Sequence, residues 1–155
     1  MSHPDRSRRR SPEDLVRAVA GAGVDDRRVL AAFRRVRREL FVPQDRVGAA
    51  YDDRPVPIAH AQVTTQPSLV GRMVAALRLR GGERVLEVGT GLGFQAAVLG
   101  ALVPRGRVWT VERFADLAER ASANLAAAGI ANVTVVVADG TLGWPPAAPY
   151  DAVVV

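Results

Sequence analysis

The chain has 155 residues, 48% of them hydrophobic, which suits one domain with one core. It has no cysteine, and His3 and His60 are its two histidines. This excludes a disulfide framework, thiol catalysis and cysteine-ligated metal, and argues against any histidine metal site. The formal charge of +5 arises in residues 1–46, where 12 arginines face 7 acidic residues; the remainder is balanced.

All basic side chains are arginines, so the pI near 11.1 overstates the basicity. Arg6 and Arg8 to Arg10 read as a basic, disordered tail over residues 1–10. Arg34, Arg35, Arg37 and Arg38 lie between apolar residues at helical spacing, which favours a solvated helix face over a phosphate-binding stripe. Nucleic acid is therefore not the expected partner. The opening residues have no apolar signal core, and no run of about 20 uncharged apolar residues occurs, so no membrane span is expected and the expected location is the cytoplasm.

In chain order, Ser11-Pro12-Glu13-Asp14 is a helix start, with Ser11 as cap and Asp14 as the capping-box acceptor, for a helix to about Ala20. Asp25 and Asp26 open a second helix whose Val29, Leu30, Phe33, Val36 and Leu40 form one face, ended by Pro43. Residues 44–66, with Pro55 and Pro57, read as an ordered loop or short strands. Leu69, Val70, Met73, Val74 and Leu77 predict a third helix, stopped by Gly81 and Gly82. Residues 11–82 thus form a helical and loop segment.

From residue 83 strands and helices alternate. Strands are predicted at 84–88, 107–112, 132–139 and 150–155, with helices over Phe94 to Leu102 and around Leu117, Ala121 and Leu125. Such βα repeats predict a mostly parallel sheet with helices on both faces, in strand order third, second, first, fourth. Ligands bind such sheets at the carboxyl ends of the strands.

The first strand ends in Glu87-Val88-Gly89-Thr90-Gly91-Leu92-Gly93, and Phe94 stands where a dinucleotide fingerprint needs its last glycine. A carboxylate two residues before Gly89 also opposes a pyrophosphate. A cationic, phosphate-free nucleoside suits the loop better, and S-adenosylmethionine fits: Glu87 favours its positive charges, and glycine lets the backbone pass close. Glu112, ending the second strand, is placed for the ribose hydroxyls, and Asp139, ending the third, for the adenine amino group. Singly, each has a plain reading as a tight turn, a cap or a surface acid. The joint pattern of three acids at successive strand ends favours a nucleoside site.

The stretches FVP at 41–43, AYDDRPVPI at 50–58, QVTTQP at 62–67, VLEVGTGLGFQAAVL at 85–99, VERF at 111–114, NVTVVVADGTLGW at 132–144 and APYDAVVV at 148–155 closely resemble the protein-L-isoaspartate O-methyltransferase family. The resemblance implies a Rossmann-like class I methyltransferase fold, with the cofactor-binding core at 83–155 and the substrate loop in 11–82. It implies S-adenosylmethionine-dependent methylation of the α-carboxylate of isoaspartyl residues in damaged proteins or peptides.

The family's hydroxyl-bearing loop falls on Gln62, Val63, Thr64 and Thr65, with Thr65 in place of the active-site serine. Glu87, Gly89, Gly91, Glu112, Arg113, Asp139 and Gly140 match cofactor positions, and Ser68 stands where some members have a cofactor-contacting histidine. Val63 replaces a usual threonine, and Ala59 and Ala61 replace usual glycines, which leaves open an aspartyl peptide as substrate. Because the acceptor carboxylate has a pKa near about 4 and is already ionised, no general base is needed, and Thr65 is expected to bind and orient it beside the positive end of the third helix. Thr65 or Gln66 as a plain helix cap, and His60 as a loop residue rather than a base, are the alternatives at this segment.

The chain stops within the fourth strand, where the family's sheet continues. The expectation is a piece lacking the C-terminal strands, its strand at 150–155 covered by a missing segment or a partner. A non-catalytic basic binding module is the remaining alternative.

Overall fold

A computed structural model describes residues 10–155. The expected tail lies outside the described residues except Arg10, which pairs with Asp52 at 3.2 Å. Helix α1 (Pro12–Gly21) begins as expected: the Asp14 carboxylate accepts from the Ser11 backbone N–H at 2.7 Å and the Ser11 hydroxyl at 3.0 Å. Helix α2 (Arg27–Arg35) is capped by Asp26, whose Oδ1 accepts from the Arg28 N–H at 2.8 Å.

Helix α2 stops sooner than its apolar spacing predicts. Val36 adopts an extended backbone (φ −79°, ψ 113°), and Arg38–Phe41 form a 3-10 turn. The break buries Phe41 on the core side and carries Arg38, expected on a solvated face, to a fully buried position. A short antiparallel hairpin follows, β1 (Val56–Pro57) and β2 (Val63–Thr64). Helix α3 (Pro67–Ala76) buries Val70 and Val74 and ends short of the glycine pair, with Arg78 at a left-handed φ of 52°.

The second half alternates as read from the sequence: β3 (Arg84–Val88), α4 (Phe94–Leu102), β4 (Arg107–Glu112), α5 (Ala115–Ala127), β5 (Val133–Val137) and β6 (Ala152–Val154). All four strands are parallel, in the expected order β5-β4-β3-β6. Register places Val85 beside Val108 and Ala152, and Val108 beside Val133. These residues share one face with Val135 and Val154, and that face joins a single apolar cluster containing side chains of all five helices.

The fold is the expected class, α/β with a parallel sheet and helices, and among the described residues the helices gather their apolar side chains on one face of the sheet. The cause is crossover direction. The steps β3 to β4 and β4 to β5 advance one way across the sheet, so right-handed crossovers put α4 and α5 on the same side. The return from β5 to β6 runs the other way and puts its connection on the opposite face. There, an added Cβ at Gly143 would lie 3.6 Å from Leu86, and the Trp109 and Tyr150 rings meet at 5.7 Å. This connection holds Pro145, Pro146 and Pro149, which remove the N–H donors a helix needs, and it forms two 3-10 turns instead. Arg84 ties it down, donating to the Pro149 carbonyl at 3.1 Å and the Ala147 carbonyl at 2.5 Å while lying 4.5 Å from the Trp109 ring centroid.

Among the described residues β6 pairs with β3 alone, and Val153 and Val155 are exposed. No described helix is long and apolar enough to cross a membrane.

Gly106 marks the tightest crossing below the sheet. A Cβ there would lie 2.1 Å from the Glu83 carbonyl oxygen and 2.8 Å from its nitrogen, both backbone atoms that cannot swing aside. Gly106→Ala is expected to lower unfolding stability by about 2–3 kcal/mol, read as a fall in the urea midpoint at unchanged slope.

Candidate active site

The strand order reverses at β3, whose neighbours β4 and β6 are reached by crossovers in opposite directions. A crevice outside the carboxyl ends of the strands at such a point is where open α/β sheets take ligands. Here it is a cavity lined by Val88, Gly89, Thr90, Gly91 and Leu92 from β3 and its turn, Phe94 and Gln95 from α4, Glu112 from β4 and Val155 after β6. Its opposite wall is Gln62, Val63, Thr64 and Thr65, with Val70 and Met73 of α3.

The glycine turn folds back over β4, with the Gly89 N–H donating to the Val111 carbonyl at 2.9 Å. Gly91 has a left-handed φ of 57°, a conformation glycine takes without penalty. The Gly91 N–H donates to Glu112 Oε2 at 2.9 Å, and the Phe114 N–H donates to Oε1 at 3.1 Å. The nearly buried Glu112 carboxylate is thus fixed by two backbone donors at the cavity wall, with lone pairs remaining for a ligand.

Glu87 behaves differently. Its side chain is wholly buried beneath the turn and does not line the cavity. Burial lifts its pKa to about 7, opposed by hydrogen bonds from Thr110 and Gln95, with the nearby Glu112 charge adding to the rise. The Thr110 hydroxyl donates to Oε2, Thr90 and Thr110 hydroxyls lie 2.6 Å apart, and Oε1 has no partner.

The hydroxyl-bearing wall is organised by two residues the sequence reading did not single out. Arg38 Nη1 donates to the Ala50 carbonyl at 2.8 Å and the Asp52 carbonyl at 3.0 Å; Nη2 donates to Thr64 Oγ1 at 3.0 Å and the Arg54 carbonyl at 3.3 Å. Its guanidinium carbon lies 5.4 Å from the Phe94 ring centroid. Burial lowers the Arg38 pKa to about 10, with Asp53 and Asp52 opposing, so it stays charged at neutral pH. Asp53 accepts from the Ser68 N–H at 2.8 Å and from Gln66 Nε2 at 3.1 Å. Burial would raise the Asp53 pKa, but these bonds and the Arg38 charge outweigh it and hold the carboxyl below its ordinary value.

The start of α3 is therefore capped by Asp53 and not by the side chain of Thr65 or Gln66, and its positive end already has a carboxylate against it. Thr65 is exposed, and its hydroxyl makes no hydrogen bond among the described residues.

Of the residues expected at a cofactor or substrate site, Val63, Thr64, Thr65, Gly89, Gly91 and Glu112 share the cavity. Five do not line it. Ser68 is buried against Asp53, and Glu87 lies under the turn. Asp139 is exposed and turns its carboxylate back to the Thr141 N–H at 2.9 Å. Arg113 is exposed, its guanidinium 4.6 Å from the Phe114 ring. Gly140 packs where a Cβ would lie 2.4 Å from Val88. The expected hollow shared by three acids is thus a cavity with Glu112 in its wall, one acid buried beneath and one on the outer surface.

Arg38 escaped the sequence reading because helical spacing turned it outward. The available signal was the proline-broken segment 50–66, whose carbonyls need donors wherever they are buried.

Two consequences are measurable. Arg38→Met leaves several buried acceptors without a donor, and about 3 kcal/mol or more of stability is expected to go, with faster amide exchange across residues 50–66. For Glu87, the folded protein keeps a proton that the unfolded chain gives up above about pH 4.5. Its contribution is full below that pH and is lost as pH rises through about 7, by up to about 3 kcal/mol. Glu87→Gln is expected to flatten the fall in denaturant midpoint between pH 5 and pH 8 relative to the parent chain.

A family model described as Protein-L-isoaspartate(D-aspartate) O-methyltransferase matches residues 10–155. Protein-L-isoaspartate O-methyltransferase 1 of Rhodopseudomonas palustris (strain HaA2) is 52% identical over 141 residues, covering 91% of this chain and 57% of that protein. The Methanoculleus marisnigri protein-L-isoaspartate O-methyltransferase is 49% identical over 148 residues, covering 95% of this chain and 66% of the relative. The chain thus spans about three fifths of the length of these curated relatives. A solved protein-L-isoaspartate O-methyltransferase superposes with a TM-score of 0.80 at 33% identity, over 92% of this chain and 47% of that one. With strand order, glycine turn and hydroxyl-bearing wall all in place, the chain belongs to the protein-L-isoaspartate(D-aspartate) O-methyltransferase family.

Proposed function

We propose that this chain serves S-adenosylmethionine-dependent methyl transfer to the α-carboxylate of L-isoaspartyl residues in proteins or peptides, the entry step in repairing that damage. The observation that carries the proposal is one cavity whose two walls differ in kind: a glycine turn with an anchored carboxylate on one side, a hydroxyl-rich segment on the other. The first wall fits a nucleoside cofactor. Glu112, held from behind by two backbone donors, has oxygen lone pairs for a ribose diol, and Gly89 and Gly91 present no side chain to keep a ligand away, while the Thr90 hydroxyl is taken up with Thr110. A pyrophosphate fits poorly beside that carboxylate.

When bound, the cofactor supplies an electrophilic methyl carbon on a sulfonium; transfer to a carboxylate oxygen breaks the carbon–sulfur bond and moves no proton. The chain is then left to position and to exclude water, and orientation alone is worth about 7–11 kcal/mol of a barrier. Thr65 is assigned to donate its hydroxyl to the substrate carboxylate, as an orienting group and not a nucleophile. Thr64 is held differently: its oxygen accepts from Arg38 and its side chain is buried, which leaves Thr65 the more accessible hydroxyl of the pair. The role of Thr64 is to fix Thr65 by fixing the strand next to it. The end of α3, already neutralised by Asp53, contributes little attraction to the substrate.

The test has two stages. S-adenosylhomocysteine is expected to raise the melting temperature by several degrees, and Glu112→Ala to abolish the shift. With isoaspartyl and aspartyl peptides as paired substrates, methyl ester is expected on the isoaspartyl peptide. Thr65→Val should lower kcat/KM by about 10- to 100-fold with S-adenosylhomocysteine affinity nearly unchanged. Ester formed equally on the aspartyl peptide would overturn the substrate assignment.

A further inference from the structure

The tip of the β1–β2 hairpin is a tight turn in which the Gln62 N–H donates to the Ala59 carbonyl at 3.2 Å. Its central residues, His60 and Ala61, both hold left-handed backbones, with φ of 59° and 54°. Turns of this type favour Asn-Gly, because any Cβ crowds the following carbonyl. Something outside the turn must hold a His-Ala pair there.

That hold is visible. His60 Nε2 lies 2.9 Å from each oxygen of the Asp116 carboxylate at the start of α5. The imidazole stacks on the Phe114 ring at 4.0 Å with an interplanar angle of 3°, and Arg113 lies 4.6 Å from the same ring. From Phe114 the contacts run on through its N–H to Glu112 and from Glu112 to Gly91, and Ile58 of the hairpin stands near that glycine, its Cδ1 3.6 Å from where a Cβ would be. Ile58 belongs to the hairpin again, donating its N–H to the Gln62 carbonyl at 2.9 Å. Direct contacts thus join the hairpin tip to α5 and α5 to the glycine turn, with Ile58 of the hairpin beside that turn.

We propose that His60 and Asp116 are positioning residues that clasp the hairpin over the glycine turn, so that cofactor enters and leaves when this contact parts. The proposal rests on the cavity being a nucleoside cofactor site. Neither residue lines the cavity, so both act through the hairpin. With the hairpin in place the cavity measures about 140 Å³, against roughly 300 Å³ or more for ordinary small-molecule pockets, so outward motion of the hairpin wall would enlarge it toward that range. The base of the hairpin is held separately through Thr64 and Arg38, which confines the motion to the tip. The left-handed turn favours release once the contact breaks.

Stopped-flow binding of S-adenosylhomocysteine to the chain and to His60→Ala, Asp116→Ala and the double variant tests this. Association and dissociation rate constants are expected to rise together, about tenfold, with Kd little changed and the double variant no faster than either single one. Hydrogen exchange of the ligand-free chain supplies a second readout: in His60→Ala the Ile58 and Gln62 amides exchange faster, while β3, β4 and the melting temperature are unaffected. Unchanged rate constants, a rise in dissociation alone, or additive effects in the double variant overturn the clasp. If the parent chain binds no S-adenosylhomocysteine, the cofactor reading falls, and unchanged exchange at the hairpin still overturns the clasp by itself.

Discussion

The arrangement of the cavity depends on one buried charge. Arg38 carries a guanidinium into a position with no solvent contact, where an ion without partners would be untenable. It is tolerated because the loop from Ala50 to Thr65 turns its carbonyls and the Thr64 hydroxyl inward, with Asp52 and Asp53 near enough to favour the charge. The dependence runs both ways. A proline-broken loop cannot satisfy buried carbonyls by secondary structure, and here a side chain 12 to 27 residues away does so. Phe94 then links this centre to the sheet, since its ring faces Arg38 and packs with Phe33 and Phe41 while also lining the cavity.

The second constraint is the sheet's change of direction at β3. Because α4 and α5 lie on one face, the turn after β3 and the end of β4 open toward the N-terminal segment, and the hydroxyl-bearing strand closes the crevice from across it. The two carboxylates at these strand ends divide by environment. Glu112 is held by backbone N–H groups at the cavity wall; Glu87, one strand over, is dry and meets hydroxyls. Identical chemistry in the sequence has become a cavity-wall acceptor in one case and a buried, proton-retaining group in the other.

Much of the fold was legible beforehand, for reasons that can be assigned to particular residues. The runs at 84–88 and 107–112 are short, rich in β-branched and apolar residues and each entered from a glycine turn, and strand order follows from crossover rules. The capping box at Ser11 and Asp14 is a local signal read locally. The failures share a cause as well. Helix α2 was extended through Leu40 because apolar spacing continues, whereas burying Arg38 breaks it at Val36. Ser68 and Asp139 were expected at the cofactor from position along the chain; in the structure the Ser68 N–H donates to Asp53, and the Asp139 carboxylate accepts from its own turn.

By itself the sequence determined the element types, the parallel order, the glycine turn and the family, since these follow from periodicity, local backbone preference and contiguous motifs. Which side chains meet in the cavity, which carboxylate is dry and what caps α3 were decided by tertiary structure alone. Those outcomes depend on contacts between segments far apart in the chain, such as Arg38 with Thr64 and His60 with Asp116, and on the solvent each contact excludes. No local pattern encodes the dielectric around a side chain; packing creates it.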